Sequence, residues 1–362
     1  MPTQIVDAIY LGITAELDTN ETNWTVEQAS TLLGTTFGGL GDPLWDKIGE
    51  VELEDADNDN KTRSNDNGQL GEDLTYGGTG SALDSALIYN ATVHFTDGSS
   101  TTTTLVLAQD ELGRLFVMPP TGGPGVLDDG YIRSITIDSL YDDDFVGLTT
   151  PREAEAFLVC FAEGTNIKTP QGETPVEVLR PGDLVATLDH GAQPVIWVGS
   201  RCVTAQGREA PVVIANGALG EGSPRAPLSV SRQHRVVIES TIAERMFGAR
   251  QVLVAAKDLL DLPGVTQAGT GQTLTYWHIL LPRHEILWAE DAAVESFLPT
   301  PLSLRALHEG DRQTIAQKIT QLAPYEMARA QINGARARKC VARHLRNQKP
   351  LVGQGLTLLI PA

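Results

Sequence analysis

A chain of 362 residues with 41% hydrophobic side chains is long enough for two or three domains and apolar enough to bury their cores, which excludes disorder throughout. The formal net charge of −19 is divided unevenly: residues 1–159 carry −22, residues 160–298 carry −4 and residues 299–362 carry +7. Such an acidic first segment repels nucleic acid and suits divalent cations, no run approaches the roughly 20 apolar residues of a membrane span, and residues 1–17 lack the basic start and apolar run of a cleavable signal.

The first segment reads as β-rich. Residues 21–33 form a candidate short helix. Residues 55–78 are polar and rich in Gly and Asn, the composition of a long loop. Within it, Asp55, Asp57 and Asp59 alternate, so their carboxylates can converge on Ca²⁺. An EF-hand loop would need Gly where Asn60 stands and Glu where Asp66 stands, and Lys61 would occupy the seventh position. A bound Ca²⁺ and a plain solvated acidic loop therefore remain alternatives.

Residues 86–95 alternate apolar and polar, Asp97-Gly98 offers a turn and residues 101–107 continue in extended style, which predicts a hairpin. A turn at Glu111-Leu112-Gly113 leads into a strand over 114–118, and residues 131–137 supply another. A sandwich or meander over residues 1–155 follows. From Cys160 the texture changes to short strands broken by Thr169-Pro170-Gln171-Gly172, Pro181-Gly182-Asp183 and Asp189-His190-Gly191, the spacing of a compact all-β unit over 156–300.

In the tail, 301–362, Leu302, Leu304, Leu307, Ile315, Ile319 and Leu322 recur at helical intervals as far as Pro324, and a second helix rich in Ala and Arg is expected over 325–346. Its basic residues are interleaved with apolar ones, as on a solvated helix packed against the β unit, so nucleic acid is not an expected partner.

The three cysteines, Cys160, Cys202 and Cys340, form no CxxC pair, which argues against a disulfide framework or a cysteine zinc site. Cys202 and Cys340 read as buried small side chains. Cys160 opens a strand that ends in a turn and follows an acidic approach over 151–159. A thiol there acts as a nucleophile only with a base nearby and a polarised carbonyl to attack. On composition alone, a lone cysteine such as Cys160 is more often core filling than catalytic.

The run from Cys160 to Gly199 resembles the first block of bacterial hedgehog/intein (Hint) domains of the Hint_2 type. The resemblance rests on Cys160-Phe161, Gly164-Thr165, Ile167, Thr169-Pro170, Gly172, Val176-Glu177, Pro181-Gly182-Asp183 and Trp197-Val198-Gly199. A second block, Leu228 to Ser231 and on to His234, is similar to the TxxH block of inteins with Ser231 in place of Thr. A third, from Tyr276 through His278, His284 and Ala289 to Glu295-Ser296-Phe297-Leu298-Pro299, resembles the terminal block. Together they cover about 140 of the 362 residues.

The resemblance implies a horseshoe-shaped all-β fold that performs an N-to-S acyl shift without a cofactor. Cys160 would attack the carbonyl of Val159, His234 would protonate the departing nitrogen, Ser231 would help hold the peptide carbonyl, and His278 and His284 would complete the site. An amide is a poor electrophile with a poor leaving group, so the reaction needs strain on the bond and a general acid near neutral pH. For His278 a strand residue satisfied by one backbone bond is the competing reading.

The substrate would be the protein's own N-terminal segment, and water or another nucleophile would open the thioester. Where splicing inteins end in His-Asn, this chain has Glu295-Ser296. Cleavage at one bond without splicing is therefore the expectation, and the aspartate usual in the last block is not evident, which leaves the base unnamed. Two competing functions are a secreted or surface binding protein whose Hint scaffold is degenerate, and a cysteine peptidase acting in trans through Cys160 and His234. Localisation stays open between export without a cleavable signal and the cytoplasm.

Overall fold

Antiparallel strands account for most of the regular structure. A computed structural model describes residues 3–66, 70–96, 98–121, 131–142, 148–149, 159–300, 303–304, 307–319 and 327–353. Asp97 of the expected turn, the approach 151–158, and Leu302, Leu322, Pro324 and Tyr325 of the tail lie outside these residues. The chain divides into two compact units, residues 1–155 and 156–362.

The first unit contains β1 (Thr3–Ile13), β2 (Thr36–Gly38), β3 (Ile48–Glu54), β4 (Lys61–Thr62), β5 (Asp73–Tyr76), β6 (Thr79–Phe95), β7 (Ser100–Asp110), β8 (Arg114–Met118), β9 (Ile132–Asp142) and β10 (Leu148–Thr149). The main sheet runs β2-β9-β6-β5-β3-β1-β8-β7, and β7 also pairs with β6, so the sheet closes on itself. Closure leaves β7 without a free edge. Inside it pack Val6, Ala8, Val51, Leu53, Leu74, Leu83, Phe116 and Met118, the inward members of alternating strands.

The expected hairpin is the β6–β7 pair, with Ala86 opposite Ala108 and Val93 opposite Thr101. Two expectations are corrected. Residues 21–33 are not a helix: only Ala29–Leu32 forms a 3₁₀ turn. The Oδ1 atoms of Asn20 and Asn23 accept from the backbone N–H groups of Thr22 and Thr25, which offers these donors an alternative to helix bonds. The polar stretch 55–78 is not loop throughout, because β5 within it pairs with both β3 and β6 and buries Leu74.

The second unit contains β11 (Phe161–Ala162), β12 (Asn166–Thr169), β13 (Gly172–Pro175), β14 (Leu184–Ala186), β15 (Ala192–Pro194), β16 (Trp197–Thr204), β17 (Val212–Ile214), β18 (Leu228–Val230), β19 (Arg235–Glu239), α1 (Thr241–Phe247), β20 (Gln251–Ala255), β21 (Val265–Gln267), β22 (Thr273–Leu280), β23 (Ile286–Ala289), β24 (Ala292–Glu295), α2 (Glu309–Ile319), β25 (Gln331–Ile332) and α3 (Gly334–Arg346). Two larger sheets run β16-β22-β11-β18-β17-β21 and β13-β12-β23-β24-β19-β20-β25. A shared apolar core includes Phe161, Ile167, Val236, Val254, Ile279 and Leu287.

The tail belongs to this unit. Ala337 and Val341 of α3 enter the same core, and β25 extends the second sheet parallel to β20. The second tail helix starts later than expected. Asn333 takes an extended backbone and Gly334 a φ of +56°, so the chain breaks before helix begins, and residues 331–332 are strand instead. Cys340 is buried as expected, whereas Cys202 is exposed, at an outward position of β16. Among the described residues no helix is long and apolar enough to cross a membrane.

The turn between β7 and β8 is tied by a buried ion pair. Asp110 accepts from the backbone N–H groups of Leu112 and Arg114 and from Nε of Arg114 at 2.6 Å, and the guanidinium also donates to the carbonyls of Leu74, Tyr76 and Thr79. Asp110→Ala leaves that guanidinium buried without its counter-charge. It is expected to destabilise the first unit by about 3–5 kcal/mol. Hydrogen exchange across residues 74–79 and 110–118 reads this directly, and unchanged protection would show that the pair carries no such weight.

Candidate functional site

Strand β11 is two residues long and lies between β18 and β22, with Phe161 opposite both Val230 and Trp277. One step back along the antiparallel register, Cys160 therefore meets Ser231, just past the end of β18, and His278 of β22. These strands form locally because of their alternation: Tyr276, His278 and Leu280 are buried on β22, and Leu228 and Val230 on β18.

The peptide between Val159 and Cys160 is held at each polar atom described here. His278 Nδ1 lies 2.8 Å from the Val159 carbonyl oxygen, which can only accept, so Nδ1 carries the proton and Nε2 presents a lone pair. That Nε2 faces Cys160 Sγ at 3.9 Å. The Cys160 N–H donates to Ser231 Oγ at 3.1 Å. The Cys160 carbonyl accepts from the Ser231 N–H and from His234 Nδ1, each at 3.0 Å.

Cys160, His234 and His278 are essentially inaccessible to solvent. Trp197 and Phe297 pack about the His278 ring, with centroids 6.2 and 5.5 Å away, and Phe161 meets the His234 ring edge-on at 4.4 Å. Burial pushes His278 down to about 4, against the opposing effect of its bond to Val159. Burial likewise pushes His234 down to about 4, with Glu295 acting against it. The Cys160 thiol is pushed up by burial, with Ser231 opposing. Both imidazoles and the thiol are accordingly neutral near pH 7.

The structure places the three residues against particular atoms of the backbone around Cys160. Ser231 Oγ sits on the amide nitrogen of Cys160, not on the Val159 carbonyl. His234 Nδ1 sits on the carbonyl of Cys160, not on the departing nitrogen. His278 contacts both the Val159 carbonyl and the thiol. The missing aspartate made the site look incomplete in sequence. The signal for His278 was its place on β22, two residues beyond the Tyr276 that pairs with Ala162.

His284 is not brought to Cys160 by any hydrogen bond. Its Nδ1 accepts from the Ala328 N–H at 3.1 Å, so its Nε2–H donates to Glu295 at 3.2 Å. Glu295 also takes the Arg235 guanidinium at 3.1 Å and the Arg235 backbone N–H at 2.9 Å. Burial would raise this carboxyl, but Arg235 and His284 outweigh it and hold it below the usual carboxylate range. Sequence reasoning missed Arg235 and the structural use of Glu295, because no local pattern marks a partner 60 residues away.

In the first unit, the carboxylate oxygens of Asp55, Asp57 and Asp59 come within 4.8 Å of one another. Asp55 accepts from the backbone of Asp59 and Asn60, while Arg63 pairs with Asp57 and Asp59. The loop thus already holds a cationic partner for two of its three carboxylates.

Residues 159–301 match the family model of the Hint domain, and this span of the second unit is a Hint domain. No curated protein matches the chain. Solved structures that match include the crystal structure of a gp41-1 intein carrying three substitutions, at 13% identity and a TM-score of 0.24, covering 38% of this chain and 98% of that one.

The depressed histidines give the second unit a defined acid sensitivity. An unfolded imidazole titrates at about 6.5, so as pH falls the unfolded chain takes up protons first. The stabilisation is complete above about 6.5 and is lost as pH falls toward about 4. NMR of the His234 and His278 ring protons is expected to show neutral imidazoles down to about pH 5. Titration near 6.5 would show that the rings are open to water.

Proposed function

We propose that the Hint domain cleaves its own chain at the Val159–Cys160 bond through an N-to-S acyl shift. The presence of a Hint domain supports an autoprocessing type of function. The finer reading rests on one observation: His278 touches the Val159 carbonyl oxygen through Nδ1 and faces the Cys160 thiol through Nε2.

In this reading His278 Nε2 accepts the thiol proton as Sγ attacks the Val159 carbonyl carbon, and Nδ1–H donates to the oxygen as it gains negative charge. The S–C bond forms and the C–N bond breaks. The proton held by His278 passes to the departing nitrogen, whose N–H is steadied by Ser231, leaving a thioester on Val159 and a free amine on Cys160. His234 and the Ser231 N–H fix the Cys160 carbonyl, so the attacking residue does not rotate away. Water then opens the thioester, releasing residues 1–159 and restoring the thiol.

Cleavage at a second bond is not part of the proposal. Glu295, aligned with the histidine of the splicing His-Asn pair, is committed to Arg235 and His284, and Ser296 Oγ accepts from the Glu285 N–H. A resting scaffold that does not cleave is the competing reading, and the burial that keeps the thiol protonated favours it.

Intact mass spectrometry of the purified full chain, with and without added thiol, separates the two. Fragments meeting at Val159/Cys160 and a thiol adduct on Val159 are expected. Cys160→Ala should abolish both, and His278→Ala should slow cleavage by about 10²–10⁴-fold. A parent chain that stays intact with and without thiol would support the resting scaffold instead.

A further inference from the structure

The first unit gathers carboxylates at the end of its closed sheet where β6 is distorted. The β6–β7 register shifts between Leu83 and Ser85, and Asp84 at this bulge is turned inward and 2% exposed. Three connections are laced around it. The segment after β1 is held by Gln109, which donates from Nε2 to Thr14 and Ala15 and accepts from the Leu17 N–H. The Asn65 N–H donates to the Leu83 carbonyl, and the Glu111 N–H to the Ala82 carbonyl.

The first of these connections brings Glu16 and Glu21 to Asp84. Their ligand oxygens and that of Asp84 all lie within 4.8 Å of one another. Buried Asp66 bears electrostatically on Glu21 and Asp84, and buried Asp18 is hydrogen-bonded to Asp66 in turn. The charges that bear most strongly on Asp18, Glu21 and Asp84 are all acidic: Glu16, Glu21, Glu27, Asp66 and Glu111.

A second observation is independent of this crowding. Asp84 Oδ2 is fully buried and has no hydrogen-bond partner. Buried oxygens of Glu21 and Asn65 are unpartnered in the same way. A buried carboxylate without a partner is strongly disfavoured unless it takes up a proton or a cation. The all-oxygen set suits a hard cation, and the convergence of three carboxylates suits Ca²⁺, which takes about six to eight oxygen ligands in flexible geometry, better than Mg²⁺, which usually takes one or two carboxylates and keeps its waters.

We infer that the first unit binds one Ca²⁺ ion between Glu16, Glu21 and Asp84, with the Asp18 and Asp66 carboxylates completing or backing the ligand set. This site is separate from the Asp55–Asp59 loop, whose carboxylates are taken up by Arg63 and by backbone N–H groups, and it does not depend on the chemistry of Cys160.

Isothermal titration of the EDTA-stripped full chain with CaCl₂ tests it. One ion per chain is expected, with affinity falling on the order of tenfold or more in Asp84→Asn and in Glu21→Gln, because ligand charge sets affinity. The double variant Asp57→Asn/Asp59→Asn should bind as the parent does. Should Asp84→Asn fail to fold, Glu16→Gln, altered at an exposed side chain, is expected to show the same loss. The assignment is overturned by absence of stoichiometric Ca²⁺ binding, by parent-like affinity in Glu21→Gln and Glu16→Gln, by loss of binding in the Asp57/Asp59 variant, or by Mg²⁺ binding as tightly as Ca²⁺.

Discussion

The register of one short strand governs the second unit. Because Phe161 pairs on both sides, with Val230 and with Trp277, the Val159–Cys160 peptide one residue earlier has little freedom of position. Its carbonyl meets His278 and its N–H meets Ser231. A backbone amide exposed to water exchanges its partners continually. This one has a fixed donor on its oxygen and a fixed acceptor on its nitrogen, the two atoms whose charge would change in the proposed acyl shift. Preorganisation of that kind needs no reorganisation at the moment of reaction.

Burial then shapes the protonation states. A thiolate and an imidazolium would each be disfavoured in this dry setting, and the resting site holds neither: the thiol is pushed up and His278 down. In the proposed acyl shift, proton transfer from sulfur to Nε2 would belong to the step in which the carbonyl oxygen gains charge beside Nδ1–H. Such an arrangement restrains the cysteine until its own carbonyl partner is attacked.

Much of this was legible in sequence, and the limits were physical. The blocks around Cys160, Ser231, His234 and His278 were legible as a resemblance, and the fold brings these residues together, three of them beside strand ends and His278 within β22. What each atom touches was not legible. Whether a hydroxyl one turn from a strand reaches the carbonyl or the nitrogen of a peptide depends on a shift smaller than one residue, and sequence carries no signal at that scale. Nor does spacing reveal that Glu295 answers Arg235 and His284. The missed helix at 21–33 had a local cause, two Asn side chains that hold backbone donors in turns. The unrecognised β5 had a nonlocal one, since Leu74 is buried only after β3 and β6 have met around it.

The two units treat buried charge in opposite ways. In the second, Glu295 is matched by Arg235 and His284, and Asp258 by Arg338 and the Gly334 N–H. In the first, Asp110 is matched by Arg114, yet Asp18, Asp66 and Asp84 are buried with like charges for neighbours. Desolvation disfavours any lone carboxylate, and mutual repulsion adds to it, so these groups are held together only if the rest of the unit enforces the geometry. Gln109 and the bulge at Asp84 do so from the backbone outward. The charge of −22 over residues 1–159 is thus partly an interior property. An acidic surface needs only solvent, whereas an acidic interior needs protons or a bound cation to balance it.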